Sequence, residues 1–145
     1  IADVRTVTTC NPEVVTVFNG ANDLFNADPA FTAQRFLTDL WSYTDRLRAQ
    51  GYRVAVATVL PNGMTQYPAA HAAFLQKRPV VNAAIRAAVG VHHDAVIDFA
   101  ANSNIGDDAD ALDKSKYPDG QHPSGSVHTI MNQIYAPVVD QLLSK

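Results

Sequence analysis

Along the chain, three short apolar runs alternate with stretches whose apolar residues recur every three or four positions, and each run closes in a polar or glycine-containing loop. Val14 to Phe18 is a β-branched run of the kind buried on both faces of a parallel sheet, and Asn19-Gly20-Ala21-Asn22-Asp23 follows as a loop. Asp28-Pro29 predicts a helix start, a capping side chain ahead of a proline at the first helical position. That helix carries Phe36, Leu37, Leu40, Trp41, Tyr43 and Leu47 on its apolar side, and Gly51 is placed to end it. Arg53 to Leu60 is the second strand, with Pro61-Asn62-Gly63 as its closing loop. Thr65 to Lys77 predicts a loop turning into a short helix, and Pro79 to Gly90 a helix with proline near its start and glycine after it. Ala95 to Phe99 is the third strand, followed by a polar, acidic loop from Ala101 to Lys116. Ser124 or Ser126 is placed to cap a last helix striped by Val127, Ile130, Met131, Ile134, Val138 and Leu142 and kinked at Pro137. Ahead of the first strand, residues 1–9 read as the tail of a helix or a connector, broken by Cys10-Asn11-Pro12-Glu13.

Strand alternating with helix implies an α/β fold, a parallel sheet covered by helices on both faces. With 145 residues, 47% of them apolar and 17% charged, the chain can bury one core and leaves no room for a second domain. A net charge of -3 with no basic stripe argues against a nucleic-acid or anionic-membrane surface. No apolar run approaches the roughly eighteen residues of a membrane span. The lone Cys10 permits no internal disulfide and no cysteine-built metal site. It reads as a small apolar residue, with a bridge to another chain as the second reading. Nothing calls for a cofactor, and the compartment stays open, with a secreted or periplasmic one favoured.

The chemistry concentrates in Asp119-Gly120-Gln121-His122-Pro123-Ser124. A carboxylate three residues before a histidine can be held on one turn, where it fixes the imidazole tautomer and stabilises the imidazolium formed on proton uptake. In open α/β sheets ligands bind beyond the carboxyl ends of the strands, so the loop holding Asn22 and the Asp119–His122 pair belong on the same rim.

Gly20-Ala21-Asn22-Asp23 after a valine-rich strand, and Asp119-Gly120-Gln121-His122-Pro123-Ser124 before the last helix, resemble the third and fifth sequence blocks of the SGNH (GDSL-type) hydrolases. The order and spacing agree over essentially the whole chain. The resemblance implies a three-layer α/β/α, flavodoxin-like fold and an esterase, lipase, thioesterase or carbohydrate acetyl-esterase activity. It implies that His122 is the general base that activates a serine, that Asp119 orients and charge-balances it, and that Asn22 donates its amide to the oxyanion. No cofactor or metal is implied; the partner is a small-molecule or carbohydrate ester.

One part of that pattern is missing. The family's nucleophile lies in a Gly-Asp-Ser block after the first strand, and no Gly-Asp-Ser occurs here; Gly106-Asp107 is followed by Asp108. Ser42, Ser103, Ser115, Ser124, Ser126 and Ser144 lack the strand-to-turn setting of a nucleophile, and Ser124 reads as a helix cap. The first two strands of the sheet would be missing as well, leaving the Val14–Phe18 strand as an unpaired edge of a kind proteins rarely expose. The expectation is therefore a C-terminal part of one hydrolase domain. Its serine would come from an N-terminal fragment chain, a preceding segment or a swapped element of a second copy. The start at Ile1 suits cleavage, and Cys10 could bridge to the other fragment. The alternative is a non-catalytic domain that binds a carbohydrate or a protein. Other polar clusters read as structural. His92 and His93, being adjacent, point in different directions and have no third ligand nearby; Asp107, Asp108 and Asp110 read as a solvated acidic loop.

Overall fold

The computed structural model describes residues 14–144. The connector, Cys10 and the bridge considered for it lie outside the described residues. A three-stranded parallel sheet in the order β1-β2-β3 is built from β1 (Val14–Val17), β2 (Arg53–Ala57) and β3 (Ala95–Ile97). Helices α2 (Ala33–Ala49) and α3 (Pro68–Ala87) cover one face and α4 (Gly125–Leu143) the other, which gives the three layers expected. A single turn, α1 (Ala21–Leu24), follows β1.

Alternation along β2 explains why both faces are covered. Val54 and Val56 enter one core with Leu37, Leu40, Phe74 and Ile85, whereas Ala55 and Ala57 enter the other with Ile97, Val127 and Met131. All four of these β2 residues are buried. The parallel three-stranded sheet with helices on both faces agrees with a flavodoxin-like fold lacking its early strands. Among the described residues, β1 pairs with β2 alone.

Several boundaries differ from the sequence reading. Helix α2 starts at Thr32, whose hydroxyl accepts from the backbone N–H of Arg35 at 3.1 Å. Asp28 is spent on a turn instead: its carboxylate takes the N–H of Ala30 at 2.8 Å and its carbonyl that of Phe31 at 2.9 Å. Helix α3 is one element of 20 residues with Pro68 in its first turn and Pro79 inside it. Pro79 and Leu75 lie on the exposed side, where the carbonyl displaced by the proline ring can tilt toward water. Helix α4 likewise runs through Pro137. Ser124 occupies its N-cap position, but its hydroxyl bonds Ser126 Oγ at 2.9 Å and not a backbone amide.

Of the acidic segment, Asp107 and Asp108 are exposed as expected, whereas Asp110 is buried, which corrects its reading as solvated. Asp110 is buried and bonds Lys116 at 2.5 Å, and Asp108 meets Arg78 at 2.6 Å. Arg78 is buried in α3, donating from Nε to the Val59 carbonyl at 3.0 Å and from a terminal nitrogen to the Gly106 carbonyl. Burial pulls its pKa down against the opposing pull of Asp108. The side chain thereby ties the loop after β2 to the acidic segment. Asp108 is 54% exposed, so the ion pair itself adds little, and the two carbonyls carry the effect. Arg78→Met is expected to cost about 1–3 kcal/mol of stability, read as a lower denaturant midpoint, because it strands the Gly106 carbonyl, whereas the Val59 carbonyl keeps the Asn82 Nδ2 donor at 3.0 Å.

Candidate active site

The carboxyl ends of β1 and β2 and the segment before α4 enclose a cavity of about 210 Å³, lined by Asn19, Leu60, Asn62, Gln121, His122 and Pro123 among others. Phe74 is fully buried in the core under α3, and Ile105, Ala111 and Tyr117 of the acidic segment fill the opposite core.

Asp119 is the hub of a tight turn. Its Oδ1 accepts from the backbone N–H groups of Gln121 at 2.9 Å and His122 at 2.7 Å, and its Oδ2 faces His122 Nδ1 at 2.5 Å. The bond from the His122 ring, helped by the two backbone donors, holds the Asp119 carboxyl well below the usual carboxylate range. A depressed carboxyl contributes its stability above its unfolded pKa and loses it only in strong acid; here the contribution is small because the group is exposed. A carboxylate that stays ionised keeps the proton on Nδ1, leaving Nε2 as the nitrogen that can take another. The His122 side chain is 76% exposed, so an incoming hydroxyl can reach it.

Two glycines fix where this turn sits. Gly63 N–H donates to the Gly120 carbonyl at 2.6 Å. Gly120 has φ +89°, and a Cβ there would lie 3.0 Å from Gly63 C. A Cβ on Gly63 would lie 2.4 Å from the Ala111 carbonyl oxygen. The Asp119–His122 turn is thus pinned backbone to backbone against the loop after β2, an approach open only to residues without a side chain.

Asn22 is exposed in α1, which begins after Gly20 at φ +103°. A Cβ on Gly20 would come within 2.7 Å of Phe36 Cζ, so this glycine lets α1 fold down onto α2. The Asn22 Oδ1 accepts from Gln121 Nε2 at 3.0 Å. Through Gln121 the structure therefore joins Asn22 to the Asp119–His122 turn, although 99 residues separate Asn22 from Gln121.

Gln121 and Asn62 are the residues that the sequence reading passed over. Asn62 is only 1% exposed. Its Oδ1 accepts from Met64 N–H at 2.9 Å, its Nδ2 donates to Gln121 Oε1 at 3.4 Å, and its carbonyl meets His71 Nε2 at 2.9 Å. The one signal in the sequence was a polar side chain between the Asp and His of the motif.

The adjacent histidines diverge. His93 is buried with its two ring nitrogens on the carbonyls of Ala95 and Ile85, and burial lowers its pKa. His92 stacks on Trp41 at 4.8 Å and pairs with Asp45 at 3.0 Å. Asp94 accepts from Val54 N–H at 2.7 Å and pairs with Arg48. All three are committed to tying β2, β3 and α2 together. Among the described residues no helix is long and apolar enough to cross a membrane.

Comparison with known proteins adds one match: the model of the GDSL-like Lipase/Acylhydrolase family covers residues 2–130. No curated protein matches the chain.

Proposed function

The chain belongs to the GDSL-like lipase/acylhydrolase family, a family of hydrolases, and from that premise we propose that it supplies the acid–base and oxyanion side of a serine ester hydrolase. The observation that carries this reading is the convergence of Asp119, His122 and Asn22 on one rim, linked by Gln121. His122 Nε2 takes the proton of a serine hydroxyl as the oxygen attacks the ester carbonyl, and Asp119 stabilises the imidazolium. Asn22 Nδ2 donates to the oxyanion of the tetrahedral intermediate. The imidazolium returns the proton to the departing alcohol, leaving an acyl-enzyme. Water then repeats the sequence, activated by the same histidine, and releases the acid.

The serine comes from an upstream segment or a partner chain. Two features favour a further piece beside β1: that strand pairs only with β2 among the described residues, and Phe18 at its end is 53% exposed. A groove of about 300 Å³ lies under α4 across the carboxyl ends of all three strands, lined by Thr16, Phe18, Ala57, Ile97, Met131 and Tyr135. The substrate is a short acyl or acetyl ester of a small molecule or carbohydrate. A cavity near 210 Å³ is below the roughly 300–1,000 Å³ of drug-sized pockets, which suits a small acyl group.

Intact mass measured under denaturing conditions, with and without reductant, on natively sourced protein treated with a serine-directed fluorophosphonate tests this. The expected result is label on a serine outside residues 1–145, on a longer chain or a second one. A protein that takes no label is a non-catalytic binding domain for a carbohydrate or a protein, and the hydrolase reading fails.

A further inference from the structure

We propose that Gln121 is a positioning residue that sets which way round the Asn22 amide points, acting within a one-way chain of hydrogen bonds that starts at the backbone of Met64. The proposal rests on the reading of Asn22 as the oxyanion donor and adds how that donor is aimed.

An asparagine amide has two ends of nearly the same shape and opposite polarity, so packing alone does not decide which end faces a substrate. Hydrogen bonding decides it here. Met64 N–H can only donate, so the Asn62 atom it meets at 2.9 Å must be the oxygen. The Asn62 NH₂ then faces Gln121 and makes the atom it meets at 3.4 Å the Gln121 oxygen. The Gln121 NH₂ in turn meets Asn22 at 3.0 Å, where it requires the Asn22 oxygen. The Asn22 NH₂ is left for the oxyanion. Burial of Asn62 anchors the first step away from competing water. The 3.4 Å contact is the weakest step, so Gln121 is the residue whose loss matters most.

The two variants chosen separate the polarity of residue 121 from its bulk. Gln121→Met keeps the length and removes the bond, which frees the Asn22 amide to turn over. Gln121→Glu still accepts from Asn62 but can only accept from Asn22, so it turns the Asn22 oxygen toward the oxyanion.

The test measures kcat and KM for an activated acetate ester, on the protein with its serine-bearing segment in place, in an Asn22 and an Asn22→Ala background. Gln121→Met is expected to lower kcat about tenfold with KM unchanged, and to cost less than about twofold once Asn22 is Ala. Gln121→Glu is expected to lower kcat about a hundredfold, approaching loss of the donor itself. Wild-type kcat in both variants overturns the proposal, as does an equal loss in both backgrounds, which would place the effect of Gln121 on His122 or on folding. Should Gln121→Met not fold, Gln121→Glu decides through the same pair of backgrounds. A wild-type protein that neither hydrolyses the ester nor takes a fluorophosphonate refutes the hydrolase reading and the relay with it, whereas an active protein indifferent to residue 121 refutes the relay alone.

Discussion

Asp119→Asn is expected to lower kcat about 10³- to 10⁴-fold, and to be a worse substitution than Asp119→Ala. The reason is the way Asp119 divides its two oxygens. Oδ1 serves the backbone N–H groups of Gln121 and His122, and Oδ2 serves the His122 ring. An asparagine keeps the first job with its own oxygen, which forces its NH₂ against Nδ1. That nitrogen must then be bare, the ring proton moves to Nε2, and Nε2 can no longer take a proton from serine. Alanine forfeits the orientation but lets water stand in at this exposed site, and the productive tautomer survives part of the time. Because the Asp119 carboxyl is held far down by His122 and the two backbone donors, it does not titrate in the working range. The wild-type pH–rate profile should therefore show no step from Asp119 above strong acid. Rates on the pH-independent plateau for wild type, Asp119→Asn and Asp119→Ala check the order. Equal plateaus for Asp119→Asn and wild type would mean that His122 is not the base.

What the sequence made legible was whatever depends on neighbours along the chain. The β-branched runs around Val15, Val54 and Val96 became the three strands, and the stripe from Val127 to Leu142 became α4. The Asp119–His122 pair closes within one turn, so its spacing alone foretold it. Features that depend on distant partners were hidden. Pro79 looked like a helix start because propensity sees only the missing amide, whereas the fold places it on the solvent side of a longer helix. Asp28 looked like a cap until the turn at Ala30 and Phe31 claimed it. Asp110 looked solvated because burial and the Lys116 partner come to it only when the acidic segment folds back. Gly63 and Gly120, 57 positions apart in the chain, meet through their backbones, and no local pattern announces that contact. The Asn62–Gln121–Asn22 chain is hidden for the same reason, since each of its links crosses between loops that the sheet topology brings together.

Asn22→Asp is expected to lower kcat about 10²- to 10³-fold while leaving KM and thermal stability nearly unchanged. The substitution is close to isosteric, and the acceptor that Asn22 offers to Gln121 Nε2 is retained, so α1 and the loop after β1 keep their anchor. What changes is the other end of the side chain. The NH₂ proposed as the oxyanion donor becomes a carboxylate oxygen that would repel the oxyanion, and the repulsion would grow as negative charge develops in the transition state. An interaction felt mainly in the transition state lowers kcat and spares ground-state binding. The affinity for a boronic acid that mimics the tetrahedral intermediate should fall in step with kcat, whereas affinity for a product-like carboxylic acid should fall less. Asn22→Ala belongs between the two, because it removes the donor without adding charge. If Asn22→Asp instead unfolds the protein or leaves kcat intact, Asn22 is only a stabiliser of the α1 turn, and the oxyanion must be held by other donors.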